Sequence, residues 1–387
     1  MLAFLRYAAG DVLLILLGLF LMFSIPLIIG GVVFFVLRRN RKNRAAWQEI
    51  SRQLDLPMKN PNQLQMAGLY NDCEVKLSVG ARRSGGENSS TEFFTYCTVR
   101  FPHSLRFLLN IAAPKGLFSK IFDSNRMILG QSGFDQRFNA KCYDQEVLRR
   151  LLLSDFPSDA TQNLMGDLMM SSDLIDVIEI SDEKVYLETG GQVADFERLK
   201  KMLDTTTYLA KRFYSARQSF PLAEWERQTL RDWRSLADEQ NLRVDERNFE
   251  LSGTYGSFPV RVRLLTDRGK WQTGIELKFT DSLMTGLRIM PENSIHKAFT
   301  WLGAQDIEAG DKAFDDAFIV KAKNVAVARS FLTPDFCRQM VGLKSQTSGI
   351  SVTDEEMVLT FDTVLGDRRT LKSHLEALAS TARMLRR

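Results

Sequence analysis

The chain has 387 residues, with 51 Lys and Arg against 47 Asp and Glu, a formal net charge of +4. Hydrophobic residues make up 44% and charged residues 25%, which excludes a disordered, a collagen-like and a polytopic membrane chain. Four cysteines are too few for a disulfide scaffold, and the length suits two or three domains.

After a short tail (residues 1–11), residues 12–37, Val12 to Leu37, carry no charge. A membrane-spanning helix needs about 20 apolar residues, so this stretch predicts one transmembrane helix. A cleaved signal peptide would have an apolar core of about 7–15 residues and a small-residue cleavage site. Here the apolar run ends instead in a basic juxtamembrane segment (residues 38–44) holding Arg38, Arg39, Arg41, Lys42 and Arg44. Positive charge beside a span stays cytoplasmic, which predicts a single-pass inner-membrane protein, N-terminus outside, its domains in the cytosol. The same five cations are candidate contacts for anionic headgroups.

Residues 1–44 hold six cations against Asp11, a net of +5, which leaves −1 for the rest. The folded part has no basic excess, so no nucleic-acid partner is expected.

An internal repeat follows. Gly68–Leu77 recurs as Gly253–Val262, Thr98–Leu105 as Glu276–Leu283, and Phe134–Phe138 as Phe314–Phe318. Leu152–Phe156 recurs as Leu332–Phe336, and Ile180–Leu187 as Val352–Leu359. Five collinear matches predict a tandem duplication, with repeat one over residues 45–213, a linker at 214–223 and repeat two over 224–387.

Each repeat opens with a helix carrying Trp47, Ile50 and Leu54, or Trp233 and Leu236. Alternating strands follow at Val75-Leu77-Val79 or Val260-Val262-Leu264, then at Cys97-Val99-Phe101 or Ile275-Leu277-Phe279. Further strands run through Phe107–Ile111 or Leu287–Ile289, and through Phe138–Cys142 or Phe318–Ala322. Two short helices, a hairpin turning at Asp182-Glu183 or Asp354-Glu355, and an amphipathic helix complete the unit. The hairpins predict an α+β fold: one N-terminal transmembrane helix, then two homologous domains, each a mainly antiparallel sheet with helices on one face.

The two copies control each other, because a residue kept for chemistry in both should recur in type. Cys73, Cys97, Cys142 and Cys337 all face apolar residues in the other copy, as buried small hydrophobes do. A disulfide between Cys73 and Cys97 across the hairpin is geometrically conceivable. His103, His296 and His374 have no histidine counterpart and no metal-ligand spacing. Asp135 and Asp315, Asp155 and Asp335, and Asp182 and Asp354 recur, with structural reasons at helix starts and turns. Tyr70 and Tyr255 also recur, between strands. No catalytic, cofactor or metal residue is therefore expected. One loop stands out: Arg82-Arg83-Ser84-Gly85-Gly86 enlarges a hairpin that is tight in copy two, and Arg82 and Arg83 are candidate anion or headgroup contacts.

The stretches Phe134–Phe156 with Ile180–Leu187, and Phe314–Phe336 with Val352–Leu359, carry F-D-x-x-F, then L-[ST]-x-D-F, then a strand hairpin. In this the chain resembles an uncharacterised bacterial family of membrane-anchored proteins with an α+β domain. The resemblance implies a bacterial membrane setting and brings no activity or functional residue. The expected function is a non-catalytic interaction or assembly protein, membrane-anchored, with a membrane-protein partner and no cofactor. The alternative is a lipid-headgroup or small-ligand binding or sensor protein using a cleft between the repeats.

Overall fold

The computed structural model describes residues 38, 41–83, 90–113, 126–154, 163–267, 269–292 and 305–385. Copy one runs α1 (41–53), β1 (Met58–Asn60), β2 (Gln65–Tyr70), β3 (Cys73–Arg83), β4 (Thr91–Arg100) and β5 (Asn110–Ala112). It continues with α2 (Ser132–Arg137), β6 (Asn139–Lys141), α3 (Gln145–Leu153), α4 (Leu164–Ser172), β7 (Val177–Ser181), β8 (Lys184–Gly190) and α5 (Phe196–Ser219). Copy two runs α6 (Glu224–Gln240), β9 (Arg243–Asp245), β10 (Glu250–Tyr255), β11 (Phe258–Asp267), β12 (Lys270–Lys278), β13 (Arg288–Pro291) and β14 (Gln305–Asp306). Then come α7 (Lys312–Asp315), β15 (Phe318–Ala322), α8 (Val325–Phe331), α9 (Pro334–Gln346), β16 (Gly349–Thr353), β17 (Glu356–Phe361) and α10 (Arg368–Met384).

The two sheets have one topology. Copy one is ordered β1-β2-β3-β4-β8-β7-β5-β6, and copy two β9-β10-β11-β12-β17-β16-β13-β15 with β14 added at the edge. Their ladders are antiparallel, so the hairpin reading of each repeat holds. Alternation assigns the faces: Val75 and Leu77 of β3, Cys97 and Val99 of β4, and Val185 and Leu187 of β8 are all buried. In copy two, Val260, Val262, Ile275, Leu277, Met357 and Leu359 do the same against Leu371, Leu375 and Leu378 of α10.

Small features are duplicated too. The indole N–H of Trp47 donates to the Val193 carbonyl at 2.9 Å, and that of Trp233 to the Leu365 carbonyl at 2.9 Å. Thr95 Oγ1 donates to the Gly191 carbonyl and accepts from the Val193 N–H. Thr273 repeats this with the Thr363 carbonyl and the Leu365 N–H. The chain divides into two compact units. One takes the chain up to Phe101 with Ile111–Ala140 and Arg149–Ser215; the other takes Pro102–Asn110, Lys141–Leu148 and Ala216–Arg387.

Four expectations are corrected. The fold is α+β without a membrane helix in it: among the described residues no helix is long and apolar enough to cross a membrane. The longest, α5, is amphipathic, with Leu199, Leu203 and Phe213 buried and Lys201 and Lys211 exposed, so it packs on a sheet. The expected span, residues 12–37, lies outside the described residues. The linker at 214–223 is shorter than expected: burial of Ala216 and Arg217 carries α5 on to Ser219, and only residues 220–223 precede α6. Among the described residues, the helix start expected in both Leu152–Phe156 and Leu332–Phe336 is seen only in the second. Thr333 caps α9 by accepting from the Phe336 N–H, whereas Ser154 follows the end of α3, and the next helix is capped by Asn163. Asp155 and Phe156 lie outside the described residues. Finally, Cys73 does not face Cys97, because the register places Leu77 opposite Cys97; all four cysteines are free.

Candidate functional site

The face of sheet one that points away from the buried apolar side chains carries an unusual set of residues. Tyr96 on β4 lies opposite Ser78 of β3 and Glu188 of β8, Phe94 lies opposite Gly80, and Thr98 opposite Tyr186. Gly80 is required here. A Cβ at that position would sit 2.4 Å from the Phe94 ring, so only glycine lets the ring lie flat on β3. The Arg82 guanidinium then stacks on Phe94 at 4.2 Å.

Arg82 reaches across the sheet to Glu188. Nη1 donates to Oε1 at 2.8 Å and Nη2 donates to Oε2, while the Tyr186 hydroxyl donates to Oε2 at 2.7 Å. The Glu188 side chain is wholly buried, a desolvation that the bidentate guanidinium and the phenol offset. Burial, followed by the hydrogen bond to Glu188, pushes the Tyr186 hydroxyl far above its ordinary value. Glu188 likewise raises Arg82. The charge of Arg82 is thus already met from within the sheet.

Two hollows flank this cluster and share Lys76 and Tyr96. The first, about 520 Å³, is lined by the cations Arg44 and Lys76, the carboxamides Asn62, Gln63, Gln65 and Gln192, and the hydroxyls of Ser78 and Tyr96. Among the described residues no carboxylate lines it. Leu64 adopts a left-handed conformation (φ 47°) after the turn Pro61–Gln63, and Asn60 accepts from the Asn62 N–H. That turn brings three of the carboxamides to one rim. The fourth is tied in by Asn43, whose Nδ2 donates to Gln192 Oε1 at 2.9 Å. The second hollow, about 640 Å³, is lined by Phe94, Tyr96, Tyr186 and Thr98 together with Lys76, Arg100, Lys184 and Glu74. The rings of Tyr96 and Tyr186 stack at 5.6 Å; Lys76 Nζ lies 6.0 Å over Tyr96 and Lys184 Nζ 5.6 Å over Tyr186.

Copy two lacks this surface. The register puts Gly274, Gln272, Val358 and Thr360 where copy one has Tyr96, Phe94, Tyr186 and Glu188. Its outer face is instead closed by cross-strand ion pairs, Arg263 with Glu276 and Arg261 with Glu250.

Of the residues singled out in the sequence, Arg44 enters the first hollow, while Arg82 forms the wall cluster with Glu188. Arg38, Arg41, Lys42 and Arg83 are exposed and line neither hollow. Arg39 lies outside the described residues, as do Ser84, Gly85 and Gly86 of the enlarged loop. Lys76, Tyr96, Tyr186, Glu188 and the carboxamides went unnoticed. The available signal was the pair of aromatic residues at successive outward positions of β4, Phe94 and Tyr96, where copy two has Gln272 and Gly274.

The polar residues common to both copies hold the scaffold. Tyr70 donates to Asp204 at 2.7 Å and Tyr255 to Glu376 at 3.4 Å, and each carboxylate has a lysine one helical turn earlier, Lys200 or Lys372. Asp135 accepts from the N–H groups of Leu129 and Gln131, and Asp315 from those of Ala309 and Gly310. His103 contacts Asn248 at 2.6 Å, and His374 is buried against Phe361, where desolvation lowers its pKa. Among the described residues no group of three or more His, Cys, Asp or Glu side chains is placed to hold a metal ion.

No protein-family model matches the chain, and no curated protein matches it. One similar solved structure is the mycobacterial trehalose monomycolate transport factor A, TtfA, at 11% identity. The match covers 41% of this chain and 96% of that one, with a TM-score of 0.31, too loose a superposition to carry an argument about fold or activity.

Proposed function

We propose that the chain is a non-catalytic binding protein whose first repeat takes an anionic ligand, a phosphate-bearing headgroup or small molecule, in the hollow around Arg44 and Lys76. One observation carries this reading. Among the described residues, two cations, neither in an ion pair, share a hollow of about 520 Å³ with carboxamides and hydroxyls, and no carboxylate lines it. Opposite charge is attracted to such a site, and nothing in its lining repels it. The interaction or assembly reading stands second. It is favoured by Met284 and Val327, apolar side chains that are 87% and 41% exposed.

The test is calorimetric titration of the purified full-length chain with glycerol phosphate, with a second arm measuring co-sedimentation with phosphatidylglycerol or phosphatidylcholine vesicles. At about 1 kcal/mol for each cation, Arg44→Ala with Lys76→Ala is expected to weaken binding about 30-fold. Arg338→Ala, which removes one positive charge from the exposed face of α9, is expected to leave it unchanged. Binding that survives the double substitution, or none by the parent chain in either arm, sinks the reading.

A further inference from the structure

We infer that the anionic ligand carries a polyhydroxylated ring, a sugar or cyclitol phosphate, laid against Tyr96 with its phosphate at Arg44 and Lys76. This deepens the reading above and rests on it.

The first argument is hydrogen-bond inventory. A bare phosphate only accepts, and two cations suffice for it. The rim of the first hollow adds Asn62, Gln63 and Gln65, each of which offers a donor and an acceptor, and the amide donor of Gln192, whose oxygen already accepts from Asn43. A ligand hydroxyl also donates and accepts, so a ring with several hydroxyls can use both ends of the first three carboxamides. A phosphate offers the oxygens of Asn62, Gln63 and Gln65 no donor.

The second argument is the platform. Tyr96 belongs to both hollows, so a ligand held by Lys76 meets its ring. An aromatic face is electron-rich and attracts the polarised C–H bonds on the flat side of a sugar ring. The platform is built into the strands. Gly80 sacrifices strand propensity so that Phe94 can lie flat beside Tyr96, and Tyr186 stacks on the far side at 5.6 Å. Copy two, with Gly274 and Val358 at those places, keeps the sheet without any of these rings, so the fold does not require them.

The third argument separates a sugar from a nucleobase, which also stacks on tyrosine. Lys76 and Lys184 hold their ammonium groups over the Tyr96 and Tyr186 rings. A base laid there would offer those ammoniums only another π face, a contact the tyrosine rings already supply. A ring bearing hydroxyls gives each ammonium an acceptor.

The experiment titrates the full-length chain with inorganic phosphate, myo-inositol 1-phosphate and adenosine 5′-monophosphate, then with phosphatidylinositol vesicles. Inositol phosphate is expected to bind at least tenfold more tightly than phosphate, the worth of one stacking contact and one hydrogen bond. Tyr96→Ala is expected to erase that advantage, weakening inositol phosphate at least tenfold more than it weakens inorganic phosphate; Tyr96→Phe, which keeps the ring, is expected to retain most of it. Tighter binding of vesicles than of free inositol phosphate would assign the lipid as the source, and the reverse the soluble compound. Equal affinity for phosphate and inositol phosphate, tighter binding of the nucleotide, or a Tyr96→Ala loss shared by all probes would overturn the inference while leaving the anion reading intact. Failure of every probe removes both.

Discussion

Glu226, in the first turn of α6, is a buried carboxylate held between two buried guanidiniums. Its side chain is 4% exposed, and it faces Arg106 and Arg217, which are 9% and 8% exposed. Its Oε1 accepts from Arg106 Nε at 2.8 Å and from Arg217 Nη2 at 2.9 Å, while Oε2 accepts from the Ala223 N–H at 2.8 Å. The two guanidiniums also lie over aromatic rings, Arg106 on Phe249 at 4.5 Å and Arg217 on Phe107 at 5.1 Å. Burial, opposed by Glu226, holds Arg217 below its ordinary value. Glu226→Gln keeps the volume but removes the single negative charge between two buried positive ones and turns an amide donor toward guanidinium donors. Breaking a buried pair from one side costs about 3–5 kcal/mol. With a urea slope of about 2 kcal/mol/M, the unit's midpoint is expected to fall by about 2 M. Tryptophan fluorescence reports it, since Trp225 packs 6.1 Å from Phe249 and Trp233 is fully buried nearby. The triple replacement Arg106→Met, Arg217→Met, Glu226→Leu is expected to recover most of the loss, because a buried charge cluster contributes little beyond an apolar filling of similar size. A Glu226→Gln midpoint within about 0.3 M of the parent would refute the reasoning.

Two more predictions concern the scaffold. Thr95→Val is expected to cost about 1–3 kcal/mol by leaving the Val193 N–H and the Gly191 carbonyl without a partner, and Thr273→Val about the same, both read by thermal unfolding. Tyr255, pushed up to about 12 by burial and then by Glu376, contributes stability that is complete below its ordinary value of 10.0 and lost as pH rises toward 12. Tyr255→Phe is therefore expected to flatten the alkaline limb of a stability–pH curve, and an unchanged limb would show that the Glu376 contact does not couple to folding.

The elements of this fold were legible because their periods are clean. Leu371, Leu375 and Leu378 mark one face of α10, and Val75 and Leu77 mark the inner face of β3 by strict alternation. Boundaries were less legible where burial outlasts the pattern: Arg217 reads as a solvated charge near a linker, yet Glu226 draws it into the interior and α5 continues past it. The site was hardly legible at all. Arg82 and Glu188 are 106 residues apart in the chain and meet because β8 inserts beside β4, a neighbour relation that no local signal carries. Asn62, Gln63 and Gln65 look like ordinary turn composition until Leu64, at φ 47°, turns them to one rim.

A duplicated fold hides a surface that only one copy carries. Demanding the same residue type in both copies selects whatever each domain needs in order to fold. Trp47 and Trp233, Thr95 and Thr273, and Tyr70 and Tyr255 pass that test, and each closes a scaffold contact. A binding surface needs to exist only once, and a second copy frees one domain to carry it. The residues that answer to this are those that differ while the backbone stays the same: Tyr96 against Gly274, Tyr186 against Val358, Glu188 against Thr360. In copy two the same strands spend their outer face on Arg261–Glu250 and Arg263–Glu276, pairs at a solvated surface that contribute little stability. The contrast lies in chemistry and not in fold. On the reading proposed above, repeat one meets the ligand and repeat two keeps the same sheet without the rings.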